Sequence, residues 1–137
     1  MRNPAKARVY CDGAWGVNVD NLVFHNWRVE EFDAPSLAAT GLEHRAGADF
    51  GYVDPTTVID SLYDAENKRI YVFNEFYKRG CQLDEVAAAM DKMELRKVKI
   101  FMDAAEPRSI DYFRKQGFNA VPCIKGQNSV KARISFL

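Results

Sequence analysis

Two aspartates carry the clearest chemistry in the sequence. Asp49 sits among small residues in "AGADFG", and Asp103 closes the apolar run "KVKIFMD". Carboxylates are hard oxygen ligands, and a convergent pair can hold Mg2+ or Mn2+, ions that keep waters which substrate phosphates can replace. With two such ions about 4 Å apart, one activates a water and the other stabilises the leaving oxygen of a phosphodiester. Each acid also has a simpler reading. Asp49 could hydrogen-bond the following turn, and Asp103 could cap the next helix. The remaining acids read as structural. Asp54, before Pro55, forms a turn; Asp60, Asp64 and Glu75 face solvent on the sheet; Asp84 and Glu85 compensate the dipole of a first helical turn. His25 and His44 share no ligand spacing and read as structural. Trp15, Trp27 and the aromatics of the run 69–77 read as core.

The elements that must position the two acids follow from periodicity. Residues 7 to 33 alternate aromatic and polar positions around "DGAWG" and "NVDN", which predicts short strands in a hairpin-like lead-in, and "DAPSLAATG" reads as a loop. "HRAGADF" and "TTVIDSLYD" read as strands, "AENK" as a tight turn and "RIYVFNEFY" as a third strand, paired antiparallel. The period then becomes helical in "QLDEVAAAMDKMEL", where Leu83, Val86, Met90 and Met93 form one stripe. "KVKIFMD" is a fourth strand. "AEPRSIDYFRKQG" is a helix with Pro107 in its first turn, Ile110 and Phe113 inward and Gly117 as its stop. "FNAVPC" is a fifth strand, and "NSVKARISFL" begins a third helix.

Three strands, then helix, strand, helix, strand, helix is the order of an α/β, ribonuclease H-like mixed sheet. In it a three-stranded antiparallel meander is extended by parallel strands through right-handed crossovers, with helices flanking the sheet. Strands one and four are then parallel neighbours, so Asp49 and Asp103 can meet although 54 residues separate them (103 − 49). The expected organisation is a lead-in over 1–40 and a ribonuclease H-like core over 41–137.

Bulk properties narrow the function classes. A chain of 137 residues with 47% hydrophobic content can bury one core. No apolar run approaches the roughly 20 residues of a membrane span, and the start lacks the apolar centre of a signal peptide. Cys11, Cys81 and Cys123 are far apart without CxxC spacing, so they read as reduced, mostly buried thiols. "KGQNSV" has the wrong order for a phosphate-binding loop. Net charge is zero but uneven: residues 96 to 137 hold 9 Lys and Arg against 3 Asp and Glu, which points either to a polyanion partner or to solvated helix faces.

"GADFGYVDPTTVI", followed by "DAAEPRSIDYFRKQGFNAVPCIKGQNSVKARI", resembles the C-terminal nuclease domain of the tailed-bacteriophage terminase large subunit. The upstream "YCDGAWGVNVDNLVFHNWRVEEFD" is similar to the segment preceding that nuclease, with Ala14 where the family usually has an acid. The resemblance covers residues 8 to 137 and implies a divalent-metal-dependent endonuclease (Mg2+ or Mn2+) that cuts concatemeric viral DNA during packaging. It assigns Asp49 and Asp103 to the metal, and places Arg108 and Lys125 in matching motifs with phosphate or structural contacts. It further implies double-stranded phage DNA, a packaging ATPase domain, portal and small terminase subunit as partners, no membrane, and the cytoplasm of a bacterial host. The family's third metal-binding acid lies on a helix further downstream, so the chain reads as a nuclease core missing its C-terminal part. Two alternatives stand beside this reading: a catalytically silent terminase fragment that keeps DNA or assembly contacts, and another ribonuclease H-like nuclease such as a junction resolvase.

Overall fold

A computed structural model describes residues 26–124. The chain divides into two units, residues 1–30 with 128–137, and residues 31–127. Of the first, residues 26–30 are described, and they form neither helix nor strand. The predicted strands before residue 26, the helix over 128–137, and Cys11, Trp15, His25 and Lys125 lie outside the described residues.

The second unit begins with α1 (Ala34–Ala39), where the sequence predicts a loop. Asp33 is its N-cap, accepting from the Ser36 N–H at 3.2 Å and the Ser36 hydroxyl at 2.6 Å, and a proline occupies the first turn. The helix buries none of its residues. The apolar stripe that announces a helix is therefore absent, and only the capping residues mark it.

Then come β1 (Glu43–Asp49), β2 (Thr56–Asp64), β3 (Arg69–Lys78), α2 (Leu83–Lys92), a 3-10 turn (Leu95–Lys97), β4 (Lys99–Met102), α3 (Pro107–Lys115) and β5 (Asn119–Pro122). The strands form one sheet in the order β3-β2-β1-β4-β5. β1, β2 and β3 are antiparallel in sequence, while β4 pairs parallel with both β1 and β5. This is the predicted mixed sheet. Each element has a local cause. In β2 every second residue from Thr56 to Leu62 is buried, the period of a pleated strand. Glu85 reaches back to accept the Gln82 N–H at 3.0 Å, closing a capping box at the start of α2. Gly117, at φ 88°, ends α3 as the sequence predicts.

Both longer helices cover one face of the sheet. Val86 and Met90 of α2, with Ile110 and Phe113 of α3, pack on Ala46, Ala48, Val58, Ile100, Met102 and Ala120. Arg96 ties the margin of this layer together: it pairs with Asp91, donates to the Gln116 carbonyl at 2.9 Å and lies over the Phe118 ring at 5.0 Å.

Three expectations are corrected. Asp60 does not face solvent; it is 1% exposed, because strand alternation puts it on the helix-covered face opposite Ala46. His44 Nε2 lies 2.6 Å from its carboxylate. Burial raises the Asp60 carboxyl above its ordinary pKa, and the His44 hydrogen bond only partly opposes that shift. Most aromatics of β3 are not core either. β3 is an edge strand at the margin of the helix layer, so Phe73 is exposed and Tyr71 half-buried with its ring 5.5 Å from Phe32, while Phe76 packs against the core and Tyr77, opposite Thr57, is exposed on the other face. Trp27, 58% exposed, is not core. Cys81 is buried and Cys123 half-buried, both as free thiols.

Candidate metal centre

Asp49 is the last residue of β1, and Asp103 follows the last residue of β4. The parallel register pairs Gly47 with Phe101 and Ala48 with Met102. Asp49 and Asp103 each follow the last paired residues, Ala48 and Met102, by one position, at the carboxyl ends of neighbouring strands. Ala48 and Met102 are buried under the helices, so alternation turns Asp49 to the opposite face of the sheet. The place itself favours a ligand. Between β1 and β4 the chain changes its direction of progress across the sheet, and crevices at the carboxyl ends of strands open at such a switch point.

The segment after Asp49 is braced from several sides. Phe50 stacks on Phe113, ring centroids 5.4 Å apart and 14° from parallel. The Thr56 hydroxyl donates to the Gly51 carbonyl at 2.8 Å and accepts the Gly51 N–H at 3.2 Å. The Gly80 N–H donates to the Tyr52 carbonyl at 3.2 Å. A Cβ on Gly51 would stand 2.5 Å from the Asp54 carbonyl oxygen, so the turn closes only around glycine. Gly47, the other small neighbour, has nothing within 4 Å of where its Cβ would be. Asp54 lies in the turn the sequence predicts for it.

Asp103 is set by the β4–α3 connection. Its Oδ1 accepts the Ala105 N–H at 2.8 Å and its carbonyl accepts the Glu106 N–H at 3.1 Å. The Cys123 N–H donates to the Met102 carbonyl at 2.7 Å, extending the β4–β5 ladder to this edge. Arg108 is exposed in the first turn of α3, a few residues on.

Two hard carboxylates suit Mg2+ or Mn2+. Among the described residues no group of three or more His, Cys, Asp and Glu gathers in metal-binding geometry. Further ligand oxygens would come from water, from a substrate phosphate or from residues outside that range. Sequence reasoning finds the two acids and passes over Thr56, Gly51 and Phe50. Thr56 reads only as the start of a strand, although the turn residues "GYVDP" just before it signal a tight connection whose closure needs a hydroxyl.

The three-strand meander, its parallel extension and helices on one face define a ribonuclease H-like domain. A family model for the terminase RNAseH-like domain matches residues 49–137, and the chain belongs to that family. It is 32% identical over 135 residues to the terminase large subunit of Bacillus phage SPP1, covering 95% of this chain and 32% of that protein. It is 36% identical over 78 residues to the PBSX phage terminase large subunit of Bacillus subtilis strain 168, over 56% of this chain and 18% of that protein. The chain thus spans a third or less of these curated relatives. Among solved structures it is similar to the SPP1 large terminase nuclease domain with bound Mn, at TM-score 0.72 and 30% identity over 83% of this chain and 67% of that one. The P22 large terminase nuclease domain shares the fold, at TM-score 0.59 and 19% identity over 69% of this chain and 54% of that one.

Proposed function

We propose that this chain is the divalent-metal-dependent endonuclease domain of a phage DNA-packaging terminase, with Asp49 and Asp103 as its metal-binding acids. The reading is supported above all by one observation, the parallel β1–β4 register, which ends one residue before each acid. The Mn bound in the SPP1 nuclease domain supports the choice of ion class, Mg2+ or Mn2+. A divalent cation held there supplies Lewis acidity to water and to the leaving oxygen of a phosphodiester. The chain's own residues fix the geometry. The Ala105 N–H orients the Asp103 carboxylate, and the Thr56 and Phe50 contacts hold the backbone that carries Asp49. Arg108, exposed in the first turn of α3, and Lys125, outside the described residues, take phosphate or local structural contacts. The substrate is concatemeric double-stranded phage DNA in the cytoplasm of a bacterial host. A packaging ATPase domain, portal and small terminase subunit are the assembly partners. Among the described residues no helix is long and apolar enough to cross a membrane.

Plasmid nicking in Mn2+, compared among wild type, Asp49→Ala and Asp103→Ala, tests the reading. Chelator-sensitive nicking should vanish in both variants; nicking that survives both removes the proposed site. A second reading, a domain that binds DNA without cutting it, is favoured by the nine Lys and Arg against three Asp and Glu over residues 96–137. Salt-sensitive binding with no cleavage in any metal would select it.

A further inference from the structure

The β1–β4 register aligns more than the two strand ends. On β1, Arg45, Gly47 and Asp49 alternate with the buried Ala46 and Ala48, so they share the face turned away from the helices. On β4, Lys99 and Phe101 alternate with the buried Ile100 and Met102 and share that face too. Arg45 is paired with Lys99, and Gly47 with Phe101. Arg45 precedes Asp49, and Lys99 precedes Asp103, by four residues each. Four residues of strand span about 13 Å. Between cation and acid on β1 the floor is open, because nothing lies within 4 Å of where a Cβ on Gly47 would be. Arg45 is held in place: its guanidinium carbon lies 5.4 Å from the centroid of the Tyr63 ring and 6.0 Å from that of Phe101, and its Nη2 donates to Glu43. Its buried Nε has no hydrogen-bond partner among the described residues, so the hydrogen bonding of this arginine is incomplete. The side chain is 43% exposed, and Lys99 is exposed on the neighbouring strand. The Glu43 carboxyl is lowered first by the Arg45 hydrogen bond and also by Lys99. Two cations against one carboxylate leave this corner of the sheet net positive.

We propose that Arg45 and Lys99 form a second phosphate subsite, which grips the backbone of duplex DNA about four nucleotides from the phosphodiester held at Asp49 and Asp103. This rests on the acid pair being the place where substrate is held. Successive phosphates of one strand advance about 3.4 Å along the duplex axis, so the span of about 13 Å from cation to acid covers about four of them. The two rings fix the guanidinium before DNA arrives, and its planar fork suits phosphate oxygens. Lys99 adds a point charge beside it. Contacts of this kind set the register of the backbone and read no sequence. The two ends of the face also differ in what they need. Without a metal the acids repel phosphate, so binding in chelator depends on the cations; with a metal both ends attract the same strand.

The experiment is fluorescence anisotropy of a labelled DNA duplex with the full 137-residue chain in chelator, where no cutting can intervene, from about 50 to 200 mM salt. Wild-type affinity should fall steeply with salt. Arg45→Gln and Lys99→Gln should each lessen the slope of log K against log salt by about 0.9, the worth of one phosphate contact on B-form DNA. Over that range each variant therefore loses about 3.5-fold less affinity than wild type. Arg45→Lys keeps the charge and should restore the slope. Lys92→Gln removes the same charge from the exposed end of α2, on the helix side of the sheet, and should leave the slope as in wild type. Mn2+ affinity of Lys99→Gln should stay within about twofold of wild type, because about 13 Å exceeds the screening length of about 8 Å at physiological salt. An unchanged slope in Lys99→Gln, or a slope lessened as much in Lys92→Gln, overturns the subsite. Lys99 is exposed, so its variant decides the matter even where Arg45→Gln melts early for want of a partner to Glu43. A larger change in Mn2+ affinity places Lys99 at the metal and overturns the separation of the two ends. A wild type that binds no duplex overturns the subsite as well, and Mn2+ titration against Asp49→Ala decides separately whether the acid pair holds metal.

Discussion

Replacing Gly51 with alanine should damage the fold far more than the same change at Gly47. At Gly51 the new methyl would stand 2.5 Å from the Asp54 carbonyl oxygen and 2.8 Å from its carbon. Carbon contacts are optimal near 3.5–4.0 Å, so the overlap is about 1 Å, against backbone that cannot rotate aside. The turn can yield only by loosening what ties it, the two Thr56 hydroxyl bonds to Gly51 and the Gly80 bond to the Tyr52 carbonyl. Overpacking of this order costs about 1–3 kcal/mol, and each hydrogen bond given up adds about 0.5–1.5 kcal/mol. The expected loss is about 2–4 kcal/mol, a large fraction of the 5–15 kcal/mol typical of a domain. At about 2.1 cal/mol/K per residue of unfolding entropy, 1 kcal/mol moves the midpoint of a chain this size by about 3–4 °C. Differential scanning calorimetry should therefore place Gly51→Ala about 7–14 °C below wild type. Gly47→Ala, with nothing within 4 Å, should melt at or slightly above wild type, since alanine loses less backbone entropy in a strand. Mn2+ affinity measured below the transition should also fall in Gly51→Ala, because the displaced turn begins two residues after Asp49. A Gly51→Ala protein that melts with wild type, or a Gly47→Ala protein that loses more, would refute the steric account.

Other perturbations separate the remaining supports. Because burial raises the Asp60 carboxyl in the folded state, its contribution to stability is fully present below the unfolded pKa of about 3.9 and is lost as pH rises through the higher folded value. The stability of wild type relative to Asp60→Asn, from urea midpoints, should accordingly decline as pH rises above about 3.9; a pH-independent difference would count against burial as the cause. His44→Ala removes the partner 2.6 Å from this carboxylate and should cost about 1–3 kcal/mol by urea titration at pH 7, at the modest end because the ring is half-exposed. Arg96→Ala should cost about 1–2 kcal/mol, mostly through the lost bond to the Gln116 carbonyl, since the half-exposed pair with Asp91 is screened. Lysine there should fail to restore it, lacking the planar fork that reaches both partners. Phe113→Ala should cost about 3–5 kcal/mol by the same titration and weaken metal binding with it, because Phe50 loses the ring it stacks on.

Most of the sheet was legible because its strands alternate and its helices carry clean stripes. "TTVIDSLYD" and "RIYVFNEFY", runs rich in β-branched and aromatic residues on either side of the turn "AENK", and Val86 with Met90 at a four-residue step leave little choice of element. That β1 and β4 lie side by side was legible through topology, since the order of elements alone makes them neighbours. What escaped has a common physical root, in that polarity was read without parity or position. Asp60 is charged, yet it falls in phase with Val58 and Leu62 and so goes inward. Phe73 and Tyr77 are aromatic, yet Phe73 sits on the edge strand at the margin of the helix layer and Tyr77 falls on the face turned away from it, in the row of Asp49 and Thr57. α1 escaped for the opposite reason: it is held by its cap and buries nothing, so no hydrophobic period reveals it.

The β1–β4 ladder has a thermodynamic side. Asp49 and Asp103 belong to stretches of chain that meet only after the hairpin has formed and α2 has carried the chain back across the sheet. An unfolded polypeptide offers the two carboxylates as strangers, separated by 54 positions (103 − 49). Whatever grips both at once is therefore a reversible staple across the long-range closure of the fold, selecting the folded chain from all others. At a free ligand concentration of 100 Kd such a staple raises stability by about 2.7 kcal/mol. The melting temperature thereby becomes a gauge of occupancy at this edge, readable before any strand of DNA is cut.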